Sequence, residues 1–167
     1  VDDPDAELRQ KVTDGLKRLG KHEDKAYIDR IEHELDVISQ KNFAPYFLVV
    51  EDSVTWAKEN DILVGPGRGS AAGALTCYAL GITRVDPIEY GLIFERFLDP
   101  SRSDWPDVDV DFEKSRRHEV KEYLTRKYGH TAAIATFNEI GGKTAISDAA
   151  RVLGVSPSET MKAIKEM

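Results

Sequence analysis

Between Pro106 and Phe112 the chain alternates aspartate with an apolar residue: Asp107, Val108, Asp109, Val110, Asp111, Phe112. Few patterns restrict a fold so tightly. A strand sends alternate side chains to opposite faces. The segment therefore predicts a strand with Val108, Val110 and Phe112 buried and Asp107, Asp109 and Asp111 crowded on the other face. Carboxylates at that spacing have Cβ atoms roughly 6–7 Å apart and can converge on a shared cation. Without a cation their repulsion raises pKa values and costs stability. The alternative is a plain solvated acidic face. Such a face usually mixes in lysine, threonine or serine, and none interrupts this one.

The type of cation can be narrowed. A D-x-D-x-D opening also begins a calcium loop, but that loop needs glycine at its sixth position and glutamate at its twelfth. Here those positions hold Phe112 and His118. Zinc fits poorly, because His22, His33, His118 and His130 are scattered and Cys77 stands alone. Oxygen-only ligands favour magnesium or manganese. Two such ions about 3.5–4 Å apart form the usual site for phosphoryl transfer to or from a hydroxyl.

About 40 residues upstream lies Gly65-Pro66-Gly67-Arg68-Gly69-Ser70. Its glycines let backbone amides approach a ligand without side-chain obstruction. The short apolar Ile62–Val64 precedes it and the alanine-rich stretch from Ala71 to Leu80 follows. That order predicts strand, glycine loop, helix, with Gly81 as the stop. A loop so placed aims free N–H groups and a positive dipole end at an anion. Arg68 adds a guanidinium suited to phosphate oxygens and Ser70 a hydroxyl. A tight turn with purely geometric glycines is the simpler reading. The P-loop is excluded, since no lysine follows the glycines. The dinucleotide fingerprint is matched by Gly67, Gly69 and Ala72, with Asp86 at the ribose-acid spacing. The segment before Asp86 is a poor core strand, which leaves dinucleotide binding a minor alternative. A phosphate-gripping loop with a D-x-D strip downstream is the layout of nucleotidyltransferase sites.

The remaining elements read as helices. Leu8, Val12, Leu16 and Leu19 follow a helical period, with Asp5 as cap and Gly20 as stop. A second helix is predicted from about Glu23 to Gln40 on the stripe Ile28, Ile31, Leu35, Ile38. A third carries Phe47, Val50, Val54 and Ala57 and ends near Asn60; its opening Phe-Leu-Val-Val also suits a strand. Pro87 opens a short helix holding Ile88, Leu92 and Phe94. Ser115 to Tyr128 is helical with Val120, Tyr123 and Leu124 inward, and Gly129 ends it. Thr131–Thr136 suits a short strand, and Lys143–Gly154 a helix. Ser156-Pro157-Ser158-Glu159 starts a last one. That helix is still running at Met167, which suggests a piece of a longer protein.

Composition bounds the function. With 41% hydrophobic and 32% charged residues, the chain has a globular balance. No apolar run approaches the ~20 residues needed to cross a membrane. The first residues show no signal-peptide pattern, and a single cysteine allows no internal disulfide, so a reducing cytoplasmic setting is expected. The net charge of −7 argues mildly against nucleic acid. Cation-holding acids would shift it the same way.

Three long stretches, in order, are familiar: V-G-P-G-R-G-S-A-A-G, then Y-A-L-G-I-T-R-V-D-P-I-E-Y-G-L-I-F-E-R-F-L, then P-D-V-D-V-D-F. Together with F-A-P-Y-F-L-V-V upstream and A-R-V-L-G downstream, they make the chain resemble the C family of bacterial replicative DNA polymerases, the DNA polymerase III alpha subunits. The resemblance runs from about Leu8 to Gly154. It implies an α/β (α+β) palm similar to that of DNA polymerase beta over residues 1–137, and the beginning of a helical thumb over 138–167. It implies a DNA-directed DNA polymerase that joins a dNTP to a primer 3′-hydroxyl with two Mg²⁺ ions, Mn²⁺ being able to substitute. Asp107 and Asp109 fall on the family's two metal-binding catalytic aspartates, and Asp111 on a neighbouring one. Gly69 and Ser70 fall on the loop that meets the nucleotide phosphates, joined by Arg68. The family's third catalytic aspartate lies beyond the end of this chain, so this segment alone is expected to be inactive. Partners would be primer-template DNA, dNTP and other replisome subunits through regions outside this sequence, with no membrane. The family usually continues into the thumb with a Phe-Gly-Thr type sequence, where this chain has Phe137-Asn138-Glu139. Lys143 and Arg151 suit either a DNA backbone or a solvated helix face. Two other classes stay open: a non-catalytic DNA-binding or clamp-associated module, and a dinucleotide-binding oxidoreductase.

Overall fold

The computed structural model describes residues 3–132, 134 and 139–165. It divides into two compact units, Val1–Thr131 and Ala132–Met167. In the first unit, helix α1 spans Pro4–Arg18, α2 Lys25–Gln40 and α3 Ala44–Glu59. A short α4 covers Leu75–Ala79 and α5 Arg117–Tyr128. The second unit holds α6, Gly142–Val152, and α7, Pro157–Lys165.

The helix ends follow capping chemistry. Asp3, not the expected Asp5, caps α1 by accepting the Ala6 N–H at 3.0 Å. Pro4 is the reason: proline has no N–H to offer and suits the first helical position, so the cap must precede it. Asp24 caps α2. In α7, Ser156 Oγ accepts the Glu159 N–H at 3.3 Å and Glu159 accepts the Ser156 N–H at 3.3 Å, the reciprocal box that the sequence foretold.

The main core gathers Leu8, Val12 and Leu16 from α1, Ile31, Leu35 and Ile38 from α2, Phe47 from α3, and Leu75, Ile82 and Phe94 beyond them. Ile28, expected in the α2 stripe, is 39% exposed, and Tyr27 takes the buried place beside it. Gly15 lets α1 lie directly on α4: a Cβ there would stand 2.0 Å from the Ala79 carbonyl oxygen. Cys77 in α4 is fully buried, and burial pushes its thiol pKa up. A second cluster, Val54, Ala57, Ile62, Val64 and Val120, joins α3 to α5. Asp52 of α3 reinforces it by accepting from Tyr123, Lys127 and Tyr128 of α5, and Trp56 stacks on Tyr123 at 4.5 Å.

The expected α/β layer is not developed among the described residues. Helices dominate, and the one isolated bridge pairs Val64 with Phe112, antiparallel. The Gly65 N–H donates to Asp111 O at 2.8 Å and the Glu113 N–H to Leu63 O at 2.9 Å. Ile62 and Val64 are buried while Leu63 is exposed, and in the aspartate strip Val108, Val110 and Phe112, expected buried, are half-buried. Pro66 brings no N–H to extend the ladder. The helix expected over Ala71–Leu80 is also broken, into a 3-10 turn at Gly69–Gly73, an extended Ala74 and then α4. The short helix expected after Pro87 is a run of turns closed by a 3-10 turn at Phe94–Arg96. The Asp86 carboxylate ties the start of that run by accepting the Ile88 N–H at 3.0 Å. Half of the strand expected at Thr131–Thr136 lies outside the described residues.

Candidate active site

The aspartate strip and the glycine loop, 40 residues apart in sequence, lie against each other. The bridge at Val64 and Phe112 aligns their bases. Gly65 then runs so close to the strip that a Cβ there would stand 3.2 Å from the Asp111 Cβ. Gly69 adopts φ +68°, a left-handed conformation that favours glycine, and a Cβ there would meet Asp109 Oδ2 at 2.9 Å. Gly67, at φ +90°, backs against Thr83 in the same way, 2.6 Å from its Cγ2. The glycines are thus where the backbone passes close to other groups.

Arg68 completes the junction. Its Nη1 lies 3.2 Å from Asp109 Oδ2 and its Nε 3.1 Å from Asp111 Oδ2. The guanidinium expected to meet phosphate therefore rests on the acids in this structure. Asp107 and Asp111 are exposed and Asp109 is half-buried. The strip is also held from below, where the Val108 N–H donates to Tyr46 Oη at 3.1 Å. Burial raises the Tyr46 pKa, and the charges of Asp107 and Asp109 add to the rise.

Beside Gly69 and Ser70 opens a cavity of about 470 Å³. One wall is Gly69, Ser70, Ala72 and Gly73; the other is Gly91, Leu92, Ile93 and Arg96. The sequence reading passed over Arg96, which brings a second guanidinium to the loop side of the site. It also passed over Glu34, buried in α2. Glu34 Oε1 accepts the Leu75 N–H at 2.9 Å, and Oε2 accepts the Thr76 N–H and hydroxyl at 2.8 Å each. Arg30 donates to it at 2.8 Å. Burial drives the Glu34 pKa upward while these donors oppose the rise. A signal existed: position 34 falls between Ile31, Leu35 and Ile38 on the buried stripe of α2, where an acid demands partners.

The donor chemistry can be set against a divalent ion. No group of three or more His, Cys, Asp or Glu side chains among the described residues is arranged to hold one. Asp107 and Asp109 offer oxygen only, as Mg²⁺ prefers. A cationic group already lies against Asp109. The two carboxylates are of the donor type such an ion takes, without a third acid grouped with them among the described residues.

The dinucleotide alternative loses its support here. Asp86, the proposed ribose acid, is buried, accepts from Tyr27 Oη at 2.6 Å and caps the following turn. The loop feeds a 3-10 turn rather than the helix that a pyrophosphate would need. In the second unit, Lys143 and Arg151 are exposed, and Arg151 pairs with Asp148 at 3.1 Å.

Comparison with known families decides the kinship. The profile of the family described as Bacterial DNA polymerase III alpha NTPase domain matches residues 6–167. The chain belongs to the bacterial DNA polymerase III alpha family. It is 49% identical over 160 residues to DNA polymerase III subunit alpha of Aquifex aeolicus (strain VF5), covering 95% of this chain and 13% of that protein. It is 51% identical over 149 residues to DNA polymerase III subunit alpha of Bacillus subtilis (strain 168), covering 87% of this chain and 13% of the relative. For the Ureaplasma parvum subunit, identity is 50% over 154 residues, covering 89% and 16%. The chain thus spans 13–16% of the length of these polymerase III alpha relatives. No helix among the described residues is long and apolar enough to cross a membrane.

Proposed function

We propose that this chain is a segment of the polymerase subunit of a bacterial replisome and carries part of its nucleotidyl-transfer site. The observation that carries the reading is the seating of the Gly69 loop on Asp109: Gly69 is left-handed at φ +68°, and a Cβ there would stand 2.9 Å from Asp109 Oδ2. A phosphate held by the loop would stand next to the acids that must manage its charge.

In this reading the primer 3′-hydroxyl attacks the α-phosphorus of a dNTP, the new P–O bond forms and pyrophosphate leaves. Asp107 and Asp109 would hold Mg²⁺, with Mn²⁺ as substitute, and such ions would supply activation of the hydroxyl and neutralisation of charge on the leaving pyrophosphate. Gly69 and Ser70 offer backbone N–H groups and a hydroxyl to the phosphates. Arg68, which lies against Asp109 and Asp111, would add a guanidinium for the phosphates. Residues 1–137 would belong to the palm and 138–167 to the start of the thumb. The acid that completes the ligand set, the primer-template contacts and the replisome partners would come from the rest of the subunit.

The test is single-nucleotide incorporation on a primed template by the full-length subunit with Mg²⁺, wild type against Asp107→Asn and Asp109→Asn. Both variants should fold and both should lose incorporation. Near-normal incorporation by either would overturn the assignment. The 167-residue chain alone should not extend a primer.

A further inference from the structure

Arg30 lies on α2, outside both motifs, yet it binds the backbone of residues that line the cavity beside Gly69. Its Nη2 donates to Gly73 O at 2.8 Å and to Leu92 O at 3.1 Å. Those carbonyls belong to opposite walls of the cavity. The same guanidinium donates through Nε to Glu34 Oε1. We propose that Arg30, held by Glu34, is a positioning residue that sets the spacing of the two cavity walls and so the fit of the nucleotide phosphates between Ser70 and Arg96. The inference rests on the function proposed above.

Three observations support it. The walls touch directly at one place, where a Cβ on Gly73 would stand 2.8 Å from Ile93 O, so their separation there is fixed by backbone contact. Arg30 clamps the same junction from the far side. Glu34 fixes where the first wall ends, because its carboxylate caps the Leu75 and Thr76 N–H groups immediately after Gly73 and Ala74. The pair is also well built for the task. Glu34 is fully buried and Arg30 largely so, with side-chain exposures of 0% and 20%. A guanidinium keeps its charge at any working pH, and its planar fork serves three acceptors in fixed directions. The guanidinium also rests on the Phe94 ring, 6.0 Å from its centroid, which limits its swing. An ammonium could neutralise Glu34 but could not reproduce the fork.

Arg30→Lys in the full-length subunit separates these roles, because it keeps the charge pair and removes the double grip on the walls. The expected result is a KM for dNTP raised about tenfold, the order set by losing one or two such hydrogen bonds, with kcat within about twofold. Asp52→Asn is the structural control. It loosens the α3–α5 junction and touches neither wall nor Glu34, so it should lower the melting temperature and leave KM unchanged. If Arg30→Lys does not fold, the double variant Arg30→Gln/Glu34→Gln leaves no unpaired buried charge and should raise KM in the same way. Unchanged KM in a folded Arg30 variant, while Asp109→Asn is inactive in the same assay, would overturn the positioning role alone. Activity in Asp109→Asn would instead overturn the underlying function.

Discussion

The Arg68 guanidinium lies 3.2 Å from the Asp109 carboxylate and 3.1 Å from that of Asp111, so the arginine of the glycine loop is paired with the aspartate strip itself. The Arg68 and Asp109 side chains are substantially exposed, at 58% and 36%. Ion pairs so exposed contribute at most about 1 kcal/mol. Arg68→Gln in the 167-residue chain should therefore bind Mn²⁺ roughly fivefold more tightly, as about 1 kcal/mol of competing charge is removed. Electron paramagnetic resonance of free Mn²⁺ measures this directly. Weaker binding would mean that Arg68 supports the ion rather than competing with it.

Gly69→Ala carries two costs. An L-residue at φ +68° is strained by about 1 kcal/mol, and its Cβ would press on Asp109 Oδ2. Urea unfolding should show a loss of about 1–2 kcal/mol. In the full-length subunit incorporation should fall more than this stability loss explains, because Asp109 must move. Wild-type activity with the expected destabilisation would separate the loop from the chemistry.

At Gly15 two effects oppose each other. Alanine inside a helix gains up to about 1 kcal/mol over glycine from propensity. A Cβ 2.0 Å from the Ala79 oxygen requires two backbones to separate. Overpacking of that kind costs about 1–3 kcal/mol or more. Gly15→Ala should be net destabilising in chemical denaturation, and a stabilised variant would show that α1 and α4 are not packed so closely.

Asp52 makes the α3–α5 junction sensitive to acid. Burial works to raise its pKa, but hydrogen bonds from Lys127, Tyr123 and Tyr128 outweigh burial and hold it below the ordinary value of 3.8. A depressed folded-state pKa gives stability that is present above the unfolded value and disappears as pH falls through the folded one. The Asp52 contribution should therefore hold from neutral pH to about 4 and fade below it. Asp52→Asn should cost about 1–2 kcal/mol at pH 7 and less toward pH 2, in urea melts followed by Trp56 fluorescence. A cost that does not vary with pH would mean that the charge contributes nothing.

What the sequence could and could not reveal follows from the range of the forces involved. The helices α1 to α3 were legible because their apolar stripes repeat locally, and α7 because its capping box is complete within four residues. The break between Gly73 and Leu75 was not legible. The acid that caps the Leu75 N–H is Glu34, 41 positions away. The apolar residues of the aspartate strip do pack against the core, but half-buried rather than buried, and Asp109 is half-buried with them. Pairing depends on a partner, and Leu63–Val64 offers one bridge before Pro66 stops it. The loop and the strip were both found as motifs. Their contact through Arg68 and the second wall bearing Arg96 needed the fold.

The buried position of Cys77 supplies a clock. As the chain's single thiol, it can react with a disulfide reagent only when α4 lifts from the helices around it. The labelling rate under native conditions therefore counts openings of the segment immediately behind the glycine loop. Comparing that rate with and without nucleotide would register how firmly a ligand closes the loop, without any primer, template or turnover.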